Sequence, residues 1–295
     1  MKFGVREICD VVFKANQSGY LGSMEVKKGQ PVLYIDSAKT STIEGAATTV
    51  YATGGKGNSR LIAWEGEKTL TFTVEDALLS PVGFAILSGA GLYDIEKLKK
   101  TAMVHCTAVS VVGTAGAVEL EGTVSDKAPL FVMGYKDGSI TGMLKATLSE
   151  GKITVTGAQS GDQVFVDYYE EHTTKVTELD IDAENFAGYY YVEASTLFRR
   201  ESDGKDLPAE IVFPRVKIQS NFTFTMASSG DPSTFTFTMD AFPAYTMFDK
   251  TKKVLCAMQI IDEDAAATMA NDPVLTHEDT ESVNEAEDDS NTPVD

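Results

Sequence analysis

Histidine and cysteine are scarce in this sequence, with three of each in 295 residues. His105, His172 and His277 form no HxxxH or HxH pair, so neither a metal site nor a histidine acid–base centre is expected from them. Cys9, Cys106 and Cys256 lie far apart and are odd in number. That excludes a disulfide framework and leaves three small core residues. Long apolar runs are missing as well. The run at residues 82–87 is set off by Gly and Ser, and nothing approaches the roughly 20 residues of a membrane-spanning helix. The first ten residues, MKFGVREICD, place charges where a signal peptide needs an apolar stretch, so the chain is expected to be made and kept soluble in a cytoplasm.

Positive charge is also in short supply. Lys and Arg number 25 against 44 Asp and Glu, a net charge of −19. Such a chain is repelled by nucleic acid, which disfavours base or phosphate recognition. The imbalance is uneven: residues 262–295 carry twelve acids and no Lys or Arg, and removing those twelve from −19 leaves −7 for the rest. From about Asp264 onward the composition is acidic and poor in aromatics, so disorder or loose docking is expected there.

Catalytic signatures are absent. No GxSxG, HExxH or CxxC occurs. Thr53-Gly54-Gly55-Lys56-Gly57-Asn58 imitates a phosphate cradle, but its Lys is followed by Gly and then by the strand-like Arg60-Leu61-Ile62-Ala63-Trp64. A P-loop needs GxxxxGK[ST] leading into a helix, so this reads as a loop or hairpin tip. Asp180-Ile181-Asp182-Ala183-Glu184 lacks the spacing and central Gly of a calcium loop and reads as a solvated loop. Tyr189-Tyr190-Tyr191, on alternate faces of a strand, supplies no single sugar-stacking platform and suits a core or an interface. An enzyme is the least expected class, and no cofactor or metal is expected.

What the chain has is alternation. Thr69-Leu70-Thr71-Phe72-Thr73-Val74 alternates polar and apolar residues, the period of a half-buried strand. The stretch 217–226 and Thr234-Phe235-Thr236-Phe237-Thr238-Met239 do the same around the turn-forming residues 227–233. They predict an antiparallel hairpin pairing 220–226 with 234–239. Its candidate assembly residues are Ser220, Phe222, Phe224, Met226, Thr234, Phe235, Phe237 and Met239. Phe222, Phe224, Phe235 and Phe237 would face a core, and the threonines would face solvent or a partner.

One helix is predicted from Ser80 as N-cap and Pro81 at its first position, with Gly89 or Gly91 as the stop. A second short helix is expected around residues 5–15, where Val5, Ile8 and Val12 suit one face. Between residues 107 and 171, strand-like runs at 118–124, 130–135, 140–148, 152–156 and 163–169 are divided by Lys136-Asp137-Gly138, Glu150-Gly151 and Ser160-Gly161-Asp162. Asp-Gly before a new alternating run is a hairpin signal, and five strands in this length suit a small sandwich or barrel.

The stretch from Arg60 through Thr69–Asp76 into the helix at 81–87 and Leu87-Ser88-Gly89 is one of two with a familiar pattern. The other runs from Phe213-Pro214-Arg215-Val216-Lys217 through Ser220 and Gly230-Asp231-Pro232 to Met239-Asp240. Together they resemble the tail tube proteins of large tailed bacteriophages. There a strand leads into a short helix ending in L-x-G, and a late hairpin with a Gly-Asp-Pro turn follows a P-x-x-K-x-x-S segment. The resemblance lies near residues 48–95 and 205–245.

It implies a mainly β fold, a tube-type β-barrel or sandwich with one flanking helix. Residues 107–171 depart from it as an inserted small sandwich-like domain. The expected division is 1–106 and 172–262 as the two halves of the tube domain, 107–171 as the insertion and 263–295 as the acidic tail. The implied role is structural. Six copies form a ring, rings stack into a hollow tube, sheath, baseplate or terminator proteins are further partners, and DNA is only transient, non-specific cargo. A capsid decoration protein and a receptor- or glycan-binding protein of a virion surface are the alternatives.

Overall fold

Alternation of buried and exposed side chains does produce strands, and the computed structural model, which describes residues 2–229 and 233–262, is mainly β. Five strands open the chain: β1 (Phe3–Val5), β2 (Asp10–Ala15), β3 (Gly19–Leu21), β4 (Met24–Val26) and β5 (Pro31–Ile35). Two long strands follow, β6 (Ala38–Gly54) and β7 (Ser59–Asp76), then helix α1 (Pro81–Ser88), β8 (Gly91–Asp94) and the one-turn helix α2 (Ile95–Leu98). Next come β9 (Ala102–Val111), β10 (Ala117–Val118), β11 (Phe131–Lys136), β12 (Ser139–Ser149), β13 (Lys152–Thr156) and β14 (Gln163–His172). The described chain closes with β15 (Thr177–Asp180), β16 (Tyr189–Arg200), β17 (Asp206–Ile218), β18 (Phe235–Ala241) and β19 (Ala257–Ile260).

The main sheet has the order β5-β2-β16-β17-β18-β7-β6, with β1 added to β16 and β19 to β17, and it curls into a half-barrel. Its inner face buries Phe13, Phe72, Phe213, Phe237, Ile218 and Met239. Phe72 and Phe213 stack with ring centres 4.7 Å apart. Each such side chain contributes on the order of 2–3 kcal/mol by leaving water. Helix α1 adds Ile86 and Leu87 to this core.

The ends of α1 follow from three residues. The Ser80 hydroxyl accepts a hydrogen bond from the Gly83 amide at 2.9 Å, and Pro81 starts the helix. Gly89 ends it at φ +77°, where a Cβ would lie 2.5 Å from the Phe186 carbonyl carbon.

The N-terminal helix expected over residues 5–15 is not formed. Val11, Phe13 and Ala15 are buried at alternate positions, and β2 pairs with β16 from Val11↔Ala194 to Ala15↔Tyr190. The three-residue spacing of Val5, Ile8 and Val12 is incidental beside this two-residue period, and a strand partner decides the outcome.

Residues 102–172 build a separate six-stranded sheet, ordered β10-β13-β12-β11-β14-β9, around Val112, Val132, Ile153, Val164, Val166 and Tyr168. Asp137 and Gly138, and likewise Glu150 and Gly151, have φ between +50° and +78° and turn the two hairpins β11–β12 and β12–β13. The expected strand at 118–124 shrinks to Ala117–Val118 plus one bridge from Val124 to Glu170.

Cys9 is buried in the main core, while Cys256 and Cys106 are half-buried against the main and second cores, all three free. The acidic stretch 263–295, His277 within it and the Gly230-Asp231-Pro232 turn lie outside the described residues. Among the described residues no helix is long and apolar enough to cross a membrane.

Candidate functional site

The eight residues expected to form an assembly hairpin divide into two groups. Phe235, Phe237 and Met239 lie on β18 with their side chains in the main core. Residues 220–226 form no strand, which corrects the predicted first arm. The hairpin exists but starts earlier: Ile218 pairs with Met239, Lys217 with Asp240, and the Gln219 amide donates to the Thr238 carbonyl at 2.9 Å.

Beyond Gln219 the chain turns onto α1. The Ser220 hydroxyl accepts from the Ala187 amide at 3.1 Å. Phe84 of α1 meets Phe222 edge-on with ring centres 5.1 Å apart, and Phe224 lies 5.6 Å from Phe235. Thr234 donates to Glu75 at 2.5 Å. Phe222 and Phe224 stay partly exposed and Met226 is 82% exposed, so this segment presents an apolar patch outside the core.

The larger exposed feature was not singled out from the sequence. β6 and β7 pair along almost their whole length, from Ala38↔Asp76 to Gly54↔Ser59. β18 supports β7 only over residues 71–76, so residues 59–70 have β6 as their one partner. At about 3.3 Å per residue, this two-stranded arm reaches roughly 40 Å past the sheet. A register shift interrupts its pairing at Gly66, where a Cβ would meet the Thr48 hydroxyl at 2.4 Å and where the Glu67 amide donates to that hydroxyl at 2.9 Å. Farther out, Val50 stands opposite Trp64 and Ala52 opposite Ile62, which places all four on one face. Tyr51 is on the other face with the Arg60 guanidinium over its ring at 4.1 Å. Val50, Leu61, Ile62 and Trp64 are all more than half exposed. The signal in the sequence was the pair of similarly long strand-capable stretches flanking Gly54–Asn58, which form the predicted hairpin tip.

A ribbon of two strands is marginal in water by itself, and this one also shows apolar side chains and unpaired strand edges. Elsewhere, titratable groups among the described residues are buried or locally paired. Burial pushes the Cys256 thiol up to about 11 and the Tyr190 phenol up to about 12. Tyr191 is buried and its hydroxyl accepts from the Met247 amide at 3.4 Å, while Tyr189 lies beneath the Arg215 guanidinium at 4.1 Å. The three tyrosines therefore do not share a platform. His105 contacts Asp167 at 3.2 Å and His172 contacts Glu170 at 3.4 Å. Among the described residues no three His, Cys, Asp or Glu side chains come close enough to hold a metal ion.

No curated protein matches the chain in sequence. A family model does match, over residues 22–255, a span containing the arm, α1, the second sheet and the β17–β18 hairpin. By that match over most of its length, the chain belongs to the YomU/Tube protein family.

Proposed function

We propose that this protein is the tail tube subunit of a large tailed bacteriophage, assembling as six-membered rings that stack into the channel through which DNA leaves the particle. The observation that carries the reading is the β6–β7 arm, which exposes Val50, Leu61, Ile62 and Trp64 on a ribbon that has no third strand beside residues 59–70 among the described residues. Membership of a tube protein family and the patch at Phe222, Phe224 and Met226 support it.

In this reading the arm of one copy lies against the next. Strand edges pair across the boundary, and the apolar side chains leave water together. The surfaces that meet differ from one another, so the contact is heterologous and extends into rings and filaments. Sheath, baseplate or terminator proteins would contact the finished tube, and DNA would be its transient cargo. The residues 102–172 serve as a module added to the tube body. The role is structural, with no catalytic step.

Negative-stain microscopy of the purified full chain tests the reading. Rings or tubes are expected. Trimers would favour capsid decoration, and dispersed monomers would favour a surface-binding protein.

A further inference from the structure

The outer face of the main sheet is treated differently along its width. Over β2, β16 and β17 it is partly covered: residues 242–256 fold back, the Met247 amide reaches the Tyr191 hydroxyl, and Phe242 packs edge-on against Tyr189. Beside them Lys14 and Glu193 form an ion pair at 2.5 Å. Over β18, β7 and β6 the described residues form no such layer, though Asn221, Phe222 and Thr223 flank a cleft with Thr236 and Thr238, and the composition of the face changes.

The register places these residues in rows. Thr42, Thr73 and Thr238 are one cross-strand row, and Thr40, Glu75 and Thr236 the next. Glu44, Thr71, Asp240 and Lys217 form a third. All ten remain at least partly accessible. The rows contain no apolar side chain, so covering them with another protein surface would bring little hydrophobic gain.

The carboxylates in these rows are held by neutral donors. Thr40 donates to Glu75 at 3.3 Å and Thr234 donates to it from the other side at 2.5 Å. Asp240 accepts from Thr71 at 3.3 Å and from the Gln219 amide group at 3.1 Å. Their negative charge is thus fixed in place without being neutralised. The one cation, Lys217, is turned aside: its ammonium donates to the Ala187 carbonyl at 2.5 Å and lies 5.1 Å from the centre of the Tyr189 ring.

We infer that this threonine face is the wall of the bore, the surface past which a hydrated polyanion, double-stranded DNA, slides. Hydroxyls hold a water layer without offering the charge-assisted bonds that would fix a phosphate, and the pinned carboxylates repel it. The apolar surfaces that need a protein partner lie elsewhere, on the arm and on the Phe222–Phe224–Met226 segment against α1. The assignment rests on the tube reading and goes beyond it by naming which face looks inward.

The test uses assembled tubes of the full chain carrying Thr42→Cys, Thr73→Cys or Thr236→Cys, one per tube preparation, in a C106S/C256S background. Each is treated with N-ethylmaleimide and, separately, with a maleimide coupled to an antibody-sized protein. Cysteines on the bore wall react with the small reagent and are protected at least tenfold from the large one. A control on the exposed face of the second sheet, Lys145→Cys, reports whether the large reagent works. Reaction with both reagents would place the face on the outside of the tube. Reaction with neither would place it in a subunit contact. Either result overturns the assignment while leaving the tube reading intact. Failure of the unmutated chain to form rings or tubes under the microscope removes the tube reading itself, and the bore with it.

Discussion

Val50 stands directly opposite Trp64 near the end of a two-stranded ribbon, and the two are 63% and 53% exposed. A non-polar cross-strand pair contributes about 0.2–1 kcal/mol to its own hairpin. The larger gain is available only when a second molecule removes that surface from water. Trp64→Asp is therefore expected to leave the subunit's stability within about 0.5 kcal/mol, as for an exposed substitution. The same change should abolish higher assemblies in size-exclusion chromatography. Full assembly of the variant would show that the arm is not a contact.

The described chain ends on a latch. β19 pairs with β17, the Ile261 amide donates to the Pro208 carbonyl at 2.9 Å, and Arg200 meets Asp262 at 2.9 Å with both side chains largely buried. Truncation after Asp264 should keep the thermal midpoint within a few degrees, because the removed residues are acidic and poor in apolar side chains. Truncation after Cys256 removes β19 and Asp262 and should lower the midpoint by about 5 °C or more. Asp262→Ala alone should cost about 1–3 kcal/mol in urea denaturation, because it removes the buried one of the carboxylates that hold the Arg200 guanidinium. Equal midpoints for the two truncations would remove the latch from the account.

Both ends of α1 were legible because capping is local. Ser80 and Pro81 open it and Gly89 closes it. Ser80→Ala should cost about 1 kcal/mol. Gly89→Ala should cost more, since it places a side chain at φ +77° and against the backbone of Phe186 and Ala187. Thermal unfolding of the two variants checks the order, and the reverse order would show that the Phe186 loop yields freely.

The Asp137-Gly138 and Glu150-Gly151 turns were legible for the same local reason. Periodicity served less well where tertiary partners decide. Residues 220–226 alternate as a strand does, but Phe222 and Phe224 are drawn to Phe84 and no neighbouring strand accepts the backbone. Residues 5–15 offered a helical spacing that pairing with β16 overrode. The arm was missed because alternation arises where one face is buried and the other wet. Over residues 59–70 both faces of the ribbon are open within the described subunit, so the pattern fades in the very segment proposed to make contacts.

Arg200 also holds Asp203, and with the Lys205 amide it lowers the Asp203 carboxyl from 3.8 to about 2. The sign follows from the depression: this contribution to stability is present above pH 3.8 and is lost as pH falls through about 2. A carboxyl titration followed by NMR should place the Asp203 midpoint near 2 in the folded chain, and Arg200→Gln should return it towards 3.8. A midpoint near 3.8 in the unmutated protein would contradict the pairing.

Copies of a chain at −19 each repel one another strongly in dilute buffer. Salt shortens the range of that repulsion to about 8 Å near physiological strength, while contacts between apolar side chains and strand edges persist. Sedimentation velocity of the purified full chain across a salt series is the most direct test of assembly by the arm. The expected result is a shift from monomer to ring-sized and longer species as salt rises. A chain that stays monomeric at every salt and protein concentration would contradict the proposal that it builds a tube by self-association.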